Sequence, residues 1–527
     1  MAEQAADYVV VGGGTAGAVV AARLSEDPGV SVALIERGPS DAGEPRALQV
    51  RRWFEMLEGE YDLDYRCVPQ PRGNSHIRQA RAAILGGCSA HNTMIALRPP
   101  AADFADWVSR GAAGWDAAAM SGYFGRLLTH IVPVAPEHRN PYLADVVRAV
   151  VAALGVPARS RWNGPPGADG EPYPDGAGFT EIGYYPQTGR RSSASADYLH
   201  PVLGHRASLD VLLSTRALRV TVDGQRRATG VQVRRADGSA ATIAARREVV
   251  LCAGAIDTPR LLLLSGIGPA ADLRGLGIGV VCDRPGVGRD LADHPEGLLV
   301  WEAARPVPPV GATDWDVTIM ARADPGGPVP QILIHVPLMT YAVHAERLGY
   351  RIPERSITMT PNVTRPRSRG RVWLGSPDPD APPLIDYGYF TDPDGYDERI
   401  LVAGMRMARR IAAAGPMAGW AGREVFPGPE VTADAEISAL ARAASNTVYH
   451  VSCTARMGAD GDRRAVLDPR LRVRGVGGLR VADASAFPSL TTVNPVVAVL
   501  MLAERAADLI RSDQLCLLHI DSPESRL

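Results

Sequence analysis

Three glycines near the N-terminus, Gly12, Gly14 and Gly17, constrain this chain more than any other residues. They follow Asp7-Tyr8-Val9-Val10-Val11, an apolar run that reads as a buried strand, and they keep the spacing G-x-G-x-x-G. Ala18 to Leu24 then has the small apolar character of a helix packed on a sheet. A second apolar run, Val30 to Ile35, ends in Glu36, nineteen residues past Gly17. The physical reading is specific. Gly12 makes the tight turn, Gly14 admits a pyrophosphate, and Gly17 lets helix and strand pack closely. The first helical residues, Thr15 and Ala16, offer amides and a favourable dipole to that anion. Glu36 is placed to accept from a ribose hydroxyl. The chain is therefore expected to begin with an α/β unit that binds an adenine dinucleotide with an unphosphorylated ribose.

A second loop puts an imidazole where such a ligand would pass. In Gly86-Gly87-Cys88-Ser89-Ala90-His91-Asn92 the glycines allow close approach of backbone. Ser89 and Asn92 offer hydrogen bonds, and His91 adds a nucleophilic ring nitrogen.

With 527 residues there is length for two or three domains. The formal net charge of -2 gives no basic field for nucleic acid or anionic membrane. The six cysteines are scattered without C-x-x-C or metal-ligand spacing, so free thiols in a reducing compartment and no metal site are expected. No apolar run approaches the ~20 residues needed to span a bilayer. The first strand begins almost at once, so a cytoplasmic protein is expected.

The nucleotide unit recurs along the chain. Asn163 to Gly178 reads as loop. Ser208 to Val222 and Gly230 to Arg235 read as strands around an Asp223-Gly224 turn. Glu248 to Cys252 is a buried strand leading to a helix with Pro259 near its start. Alternating segments at 317–321, 331–336, 357–363 and 370–374 predict an antiparallel sheet. Asp392 to Ala413 reads as an amphipathic helix, Leu479 to Asp483 as a strand returning to the first sheet, and Pro495 to Ile510 as a closing helix. The expected division interleaves two domains. Residues 1–160, 201–297 and 436–515 form the nucleotide-binding domain. Residues 298–435 form the substrate domain, 161–200 a mainly loop segment beside it, and 516–527 a tail.

Two late segments carry polar groups suited to alcohol chemistry: Asn446 to Gly458, containing Tyr449 and His450, and Asp483-Ala484-Ser485 with Thr492-Val493-Asn494-Pro495. With these, with Gly86 to Asn92, and with the long run Gly254-Ala255-Ile256-Asp257-Thr258-Pro259-Arg260 to Pro269, the chain resembles the glucose-methanol-choline (GMC) flavoprotein oxidoreductases. Within them it is most similar to the choline-oxidising members, from Asp7 to about Ile510. The resemblance implies FAD on a Rossmann-type domain and a substrate domain built on an antiparallel sheet, α/β in its first part and α+β overall. It implies FAD contacts from Gly86, Gly87, Ser89, Asn92, Thr93, Val220, Asp483, Ala484, Asn494 and Pro495, and a covalent histidyl–FAD link at His91. His450 and Asn494 fall where the family keeps its catalytic pair, an imidazole and an amide suited to take a hydroxyl proton and hold an alkoxide.

For substrate, the resemblance implies choline oxidised to betaine aldehyde and on to glycine betaine, with O2 as acceptor, in a homodimer. Glu296 would face the trimethylammonium head, with Trp53, Trp315, Tyr341 and Tyr449 around it. A charge pair at 4 Å is worth about 4 kcal/mol at an effective dielectric of 20, against ~0.5–2 kcal/mol for one aromatic face. Two departures stand out. Phe54 and Glu55 replace a Met and a Trp, and His-Pro-x-Gly-Thr becomes His450-Val451-Ser452-Cys453-Thr454. Both bear on the substrate, and leave open another primary or amino alcohol. A lyase of the same fold, cleaving cyanohydrins without redox turnover, is the alternative from another reaction class.

Overall fold

The computed structural model describes residues 4–164 and 175–520. Its first sheet has seven strands in the order Arg216–Val222, Ala228–Arg234, Ala240–Leu251, Gln4–Val11, Val32–Ile35, Leu209–Leu212, with Leu479–Val481 also paired to Ala240–Leu251. The centre is parallel: Val9 lies opposite Val249 on one side and Ala33 on the other. Strands buried on both faces must be apolar throughout, and Tyr8 to Val11 and Val32 to Ile35 all are. The helix Thr15–Leu24 covers this sheet together with the last helix, Val496–Ile520, through Val19, Val20, Val497, Met501 and Ala503.

The second sheet has eight strands. Its main path runs Ala421–Phe426, Leu299–Ala303, Ser356–Val363, Ile332–His335, Val317–Ala321, Gly176–Phe179. Every pair on this path is antiparallel. The helix Tyr396–Ala412 lays Ile400, Leu401, Met405 and Ala408 against Ile332, Ile334 and Met359. Pro295–Glu296 pairs with Ser356–Val363 on one side and with Asn446–Thr447 on the other, so this sheet reaches into the segments that carry His294, Glu296 and His450. The mixed α/β architecture expected from the sequence is present.

Local differences have physical causes. The segment read as loop from Asn163 ends in a strand, Gly176–Phe179, and residues 165–174 lie outside those described. Ser208 to Val222 is two strands, not one, broken by Ser214 at φ 48°. The strand ending at Leu251 begins at Ala240, because its first half pairs antiparallel with Ala228–Arg234 on one side while Ile243 to Ala245 pair parallel with Gln4 to Ala6 on the other. Gly370 to Leu374 is not in the large sheet; Arg371–Trp373 pairs with Leu384–Asp386 in a two-stranded sheet. Pro259 sits inside the helix Gly254–Leu264. It leaves the Ala255 carbonyl without its intrahelical donor, and the Thr454 hydroxyl donates to that oxygen at 2.7 Å. The closing helix continues past Ile510 to Ile520, so the expected tail is helical that far. No helix among the described residues is long and apolar enough to cross a membrane, and no cluster there could hold a metal ion.

Candidate active site

One cavity of about 310 Å³ joins the two sheets. At one end its walls are backbone. Gly12 (φ 100°) turns the chain, and a Cβ there would stand 2.6 Å from the Cys252 carbonyl oxygen. A Cβ on Gly17 would fall 1.8 Å from the Gly12 oxygen, and one on Gly87 2.6 Å from the Gly14 Cα. The two glycine loops thus face each other at a separation only glycines permit. Gly14 caps the helix Thr15–Leu24 with no side chain, leaving its first amides turned toward the cavity. Glu36 accepts from the amides of Gly13 (2.8 Å) and Gly38 (2.7 Å), and burial pushes its carboxyl up to about 7. Asp483 spends both oxygens on protein, accepting from Gly254 N–H, the Thr258 hydroxyl and Ser485.

Gly12, Gly14, Thr15, Ala16, Glu36, Gly87, His91, Asn92, Thr93, Asp483, Ala484, Asn494 and Pro495 all line this cavity. Four other expected contacts do not. Gly17 is spent on packing. Gly86 (φ 88°) faces Ser195. The Ser89 hydroxyl donates to the Gly86 carbonyl and accepts from Ala194 N–H, so it closes its own loop instead of meeting a ligand. Val220 is turned inward with its N–H donated to the Ser265 hydroxyl, whereas Thr215, Arg216 and Ala217 of the same stretch line the wall.

His91 sits beside this cradle, buried, and neither ring nitrogen has a partner. Burial holds its imidazole down at about 4, so it is neutral. The loop that carries it is clamped by Arg191, fully buried, which donates to the carbonyl oxygens of Ala47 and Asn92. Glycines that a Cβ would fill, a buried acid at the ribose position and an unpartnered imidazole together fit a dinucleotide with a reactive ring system near His91.

The other end is built from side chains. Nε2 of His294 lies 2.8 Å from the Thr364 carbonyl oxygen and 3.0 Å from that of Thr491, so this nitrogen carries the proton. Burial holds His294 near 4, and a neutral ring then leaves Nδ1 as acceptor. That atom is 2.8 Å from Nδ1 of His450, which must donate. Nε2 of His450 is left as an acceptor, and the Asn494 amide nitrogen donates to it at 3.3 Å. Two backbone carbonyls thus set the tautomer of His450 through His294. Burial, with His294 as a further cause, holds His450 well below the usual imidazole range.

The backbone at His450 is equally determined. Tyr449 is left-handed (φ 64°), a conformation costing about 1–3 kcal/mol for a bulky residue. Its N–H donates to the Thr447 hydroxyl, its carbonyl accepts from Arg81, and the next amide, His450 N–H, donates to Asp293 at 2.8 Å. Asp293 is itself gripped by the hydroxyls of Tyr389 and Thr447. Cys453, where the family pattern has glycine, adopts φ 71° and still donates its N–H to Ala484.

Glu296, 4% exposed, shares the cavity with Trp53, Trp315, Tyr341, Tyr449, His335 and His450. Burial pushes its carboxyl up to about 8. Trp53 and Trp315 meet edge to face at 6.2 Å and are both core and wall. Glu55 does not reach the pocket. It pairs with Arg52 at 2.6 Å in solvent, because the turn Val50–Met56 points Trp53 inward and its neighbours out. His294, Asp293, His335, Arg81 and Arg191 were not assigned roles from sequence. The signal available for two of them was the compact Asp293-His294-Pro295-Glu296 string.

Two family models described as GMC oxidoreductase match the chain, over residues 6–296 and 366–503. Choline oxidase of Arthrobacter globiformis is 46% identical, the match covering 96% of this chain and 94% of that one. Human mitochondrial choline dehydrogenase is 34% identical over 96% and 89%. Among solved structures, a pyridoxine 4-oxidase from Mesorbium loti superposes with a TM-score of 0.87 at 30% identity, covering 95% of this chain and 98% of that one. With the glycine cradle, the antiparallel sheet and the histidine–asparagine pair all in one cavity, these matches over nearly the whole length make the chain a member of the GMC oxidoreductase family.

Proposed function

We propose that this protein binds FAD and oxidises choline, or a close cationic primary alcohol, to the aldehyde and then, through the aldehyde hydrate, to the acid, with O2 reduced to hydrogen peroxide. The observation that carries the reading is that His450, its Nε2 held as an acceptor and met by the Asn494 amide, lines the same cavity as Glu296. The similarity to choline oxidase supports the substrate.

Bound FAD supplies a two-electron acceptor for hydride. The rest is done by the chain. Glu296 holds the cationic head, and the aromatic walls contact its methyl groups. The substrate hydroxyl meets His450 Nε2, which takes its proton. The imidazolium then forms next to the alkoxide it has made, so no net charge is added to the buried site. His450 Nδ1–H keeps its bond to His294 throughout, and the Asn494 amide is a second donor to the oxyanion.

The cradle residues Gly12, Gly14, Thr15, Ala16, Gly87 and Glu36 would hold the dinucleotide. We assign His91 a covalent bond to the flavin. His91 would hold the flavin through one ring nitrogen, and the oxidising equivalent such a bond requires would be supplied by O2. The neutral, unpartnered ring of His91 supports this. Acid-precipitated protein should stay yellow with its mass raised by one FAD; a colourless pellet of unmodified mass refutes the bond. The free thiols of Cys67, Cys88, Cys252, Cys282 and Cys453 suit the cytoplasm.

A peroxide-coupled assay of choline against 3,3-dimethylbutanol, its uncharged isostere, tests the substrate. A kcat/KM higher by ~10-fold or more for choline is expected from the charge pair. Equal values would assign the site to neutral alcohols, and no peroxide from either would reject the oxidase.

A further inference from the structure

A quaternary ammonium has no N–H to donate, yet the polar side of this pocket is lined with acceptors. Glu296 lies directly opposite Asn446 across one strand pair. Both atoms of the Asn446 amide are in use: Nδ2 donates to the Tyr341 hydroxyl oxygen, and Oδ1 faces Nε2 of His344 at 3.3 Å. The Tyr341 hydroxyl is therefore held in place, and the Tyr449 hydroxyl lies beside it. Glu296, Tyr341 and Tyr449 all line the one cavity, and the two phenol hydroxyls are hydrogen-bonded to each other. A trimethylammonium head adds no hydrogen bond to these phenol oxygens. For an ammonium that keeps an N–H they are hydrogen-bond partners. The opposite walls, Trp53 and Trp315, remain apolar and suit methyl groups.

We propose that Tyr341, fixed by Asn446, is a specificity-determining residue that accepts an N–H from an incompletely methylated ammonium, so that the site selects tertiary amino alcohols of the N,N-dimethylethanolamine type alongside choline. This rests on the cationic-alcohol reading above. An N–H adds a charge-assisted hydrogen bond at the Tyr341 oxygen beyond those from Asn446 and Tyr449, and a quaternary head cannot make it.

The test is steady-state kinetics of the holoenzyme at neutral pH on N,N-dimethylethanolamine and choline, with bound flavin measured in each variant. Tyr341→Phe keeps the ring and removes the oxygen. It should lower the ratio of kcat/KM for the tertiary over the quaternary substrate by about 10-fold, as expected for a hydrogen bond to a charged group, chiefly through KM for the tertiary amine. Asn446→Leu, which leaves Tyr341 but frees it, should shift the ratio the same way by less. An unchanged or increased ratio in flavin-replete Tyr341→Phe overturns the proposal while choline turnover leaves the cationic-alcohol reading standing. Turnover of neither substrate by the wild type overturns both.

Discussion

The two ends of the cavity are made of different material. At the nucleotide end, recognition is backbone: glycines brought closer than any side chain allows, uncapped helix amides, and carboxylates such as Asp483 whose hydrogen bonds are already filled. At the substrate end, recognition is side chain: His294, Glu296, His335, Tyr449 and His450, drawn from well-separated segments and buried against their ionisation. The first end tolerates almost no change of shape. The second is set by protons and charge, which are easier to alter without loss of the fold.

The largest effect expected from this contrast is at Gly17. Gly17→Ala places a Cβ 1.8 Å from the Gly12 oxygen, and backbone on both sides cannot yield cheaply. The variant should be isolated without bound flavin or fail to fold, read as flavin absorbance per chain. Full flavin content would break the comparison at its rigid end. Next is His450→Ala, expected to keep its flavin and to lose ~10²–10⁴ in kcat/KM. Loss of flavin together with activity would make His450 part of the cradle instead.

The same contrast explains what was legible in the sequence. Gly12 to Glu36 could be read from residues alone, since a strand, a turn and a helix in sequence fix their own geometry over a short span. The antiparallel sheet showed in its alternating segments, but its long-range pairing did not, and Gly176–Phe179 was hidden in a stretch whose composition reads as loop. His450, Asn494 and Glu296 were identifiable only through family resemblance. No spacing announces that His294, 156 residues away, will meet His450 ring to ring at 2.8 Å. Nor could composition tell that Glu55 faces solvent while Trp53 faces the pocket. Val220, implied by the resemblance alone, has its N–H donated to the Ser265 hydroxyl, while Thr215, Arg216 and Ala217 border the cavity.

Smaller effects sharpen the charge-reading end. Glu296→Gln should lower kcat/KM for choline by ~10-fold or more with flavin content unaltered, while the value for 3,3-dimethylbutanol moves far less. Equal losses on both alcohols would mean that the carboxylate does not read charge. The smallest is a pH limb. Burial raises Glu296 to about 8, and the ionised form is the one that binds a cation. kcat/KM for choline, which reports the free enzyme, should therefore climb as pH rises through about 8 and level off above it. His450, held well below the ordinary imidazole range, is already in its proton-accepting form there. The dimethylbutanol profile should lack that limb, and its presence for both alcohols would move the titration to another group.

The most direct test of the account is anaerobic mixing of the yellow holoprotein with choline, followed by the flavin's visible absorption. Bleaching by choline, and slower bleaching by equimolar 3,3-dimethylbutanol, is the predicted result. A flavin that stays fully oxidised with choline, in protein that retains its cofactor, would contradict the joint assignment of His450 as proton acceptor and Glu296 as the seat of the cation.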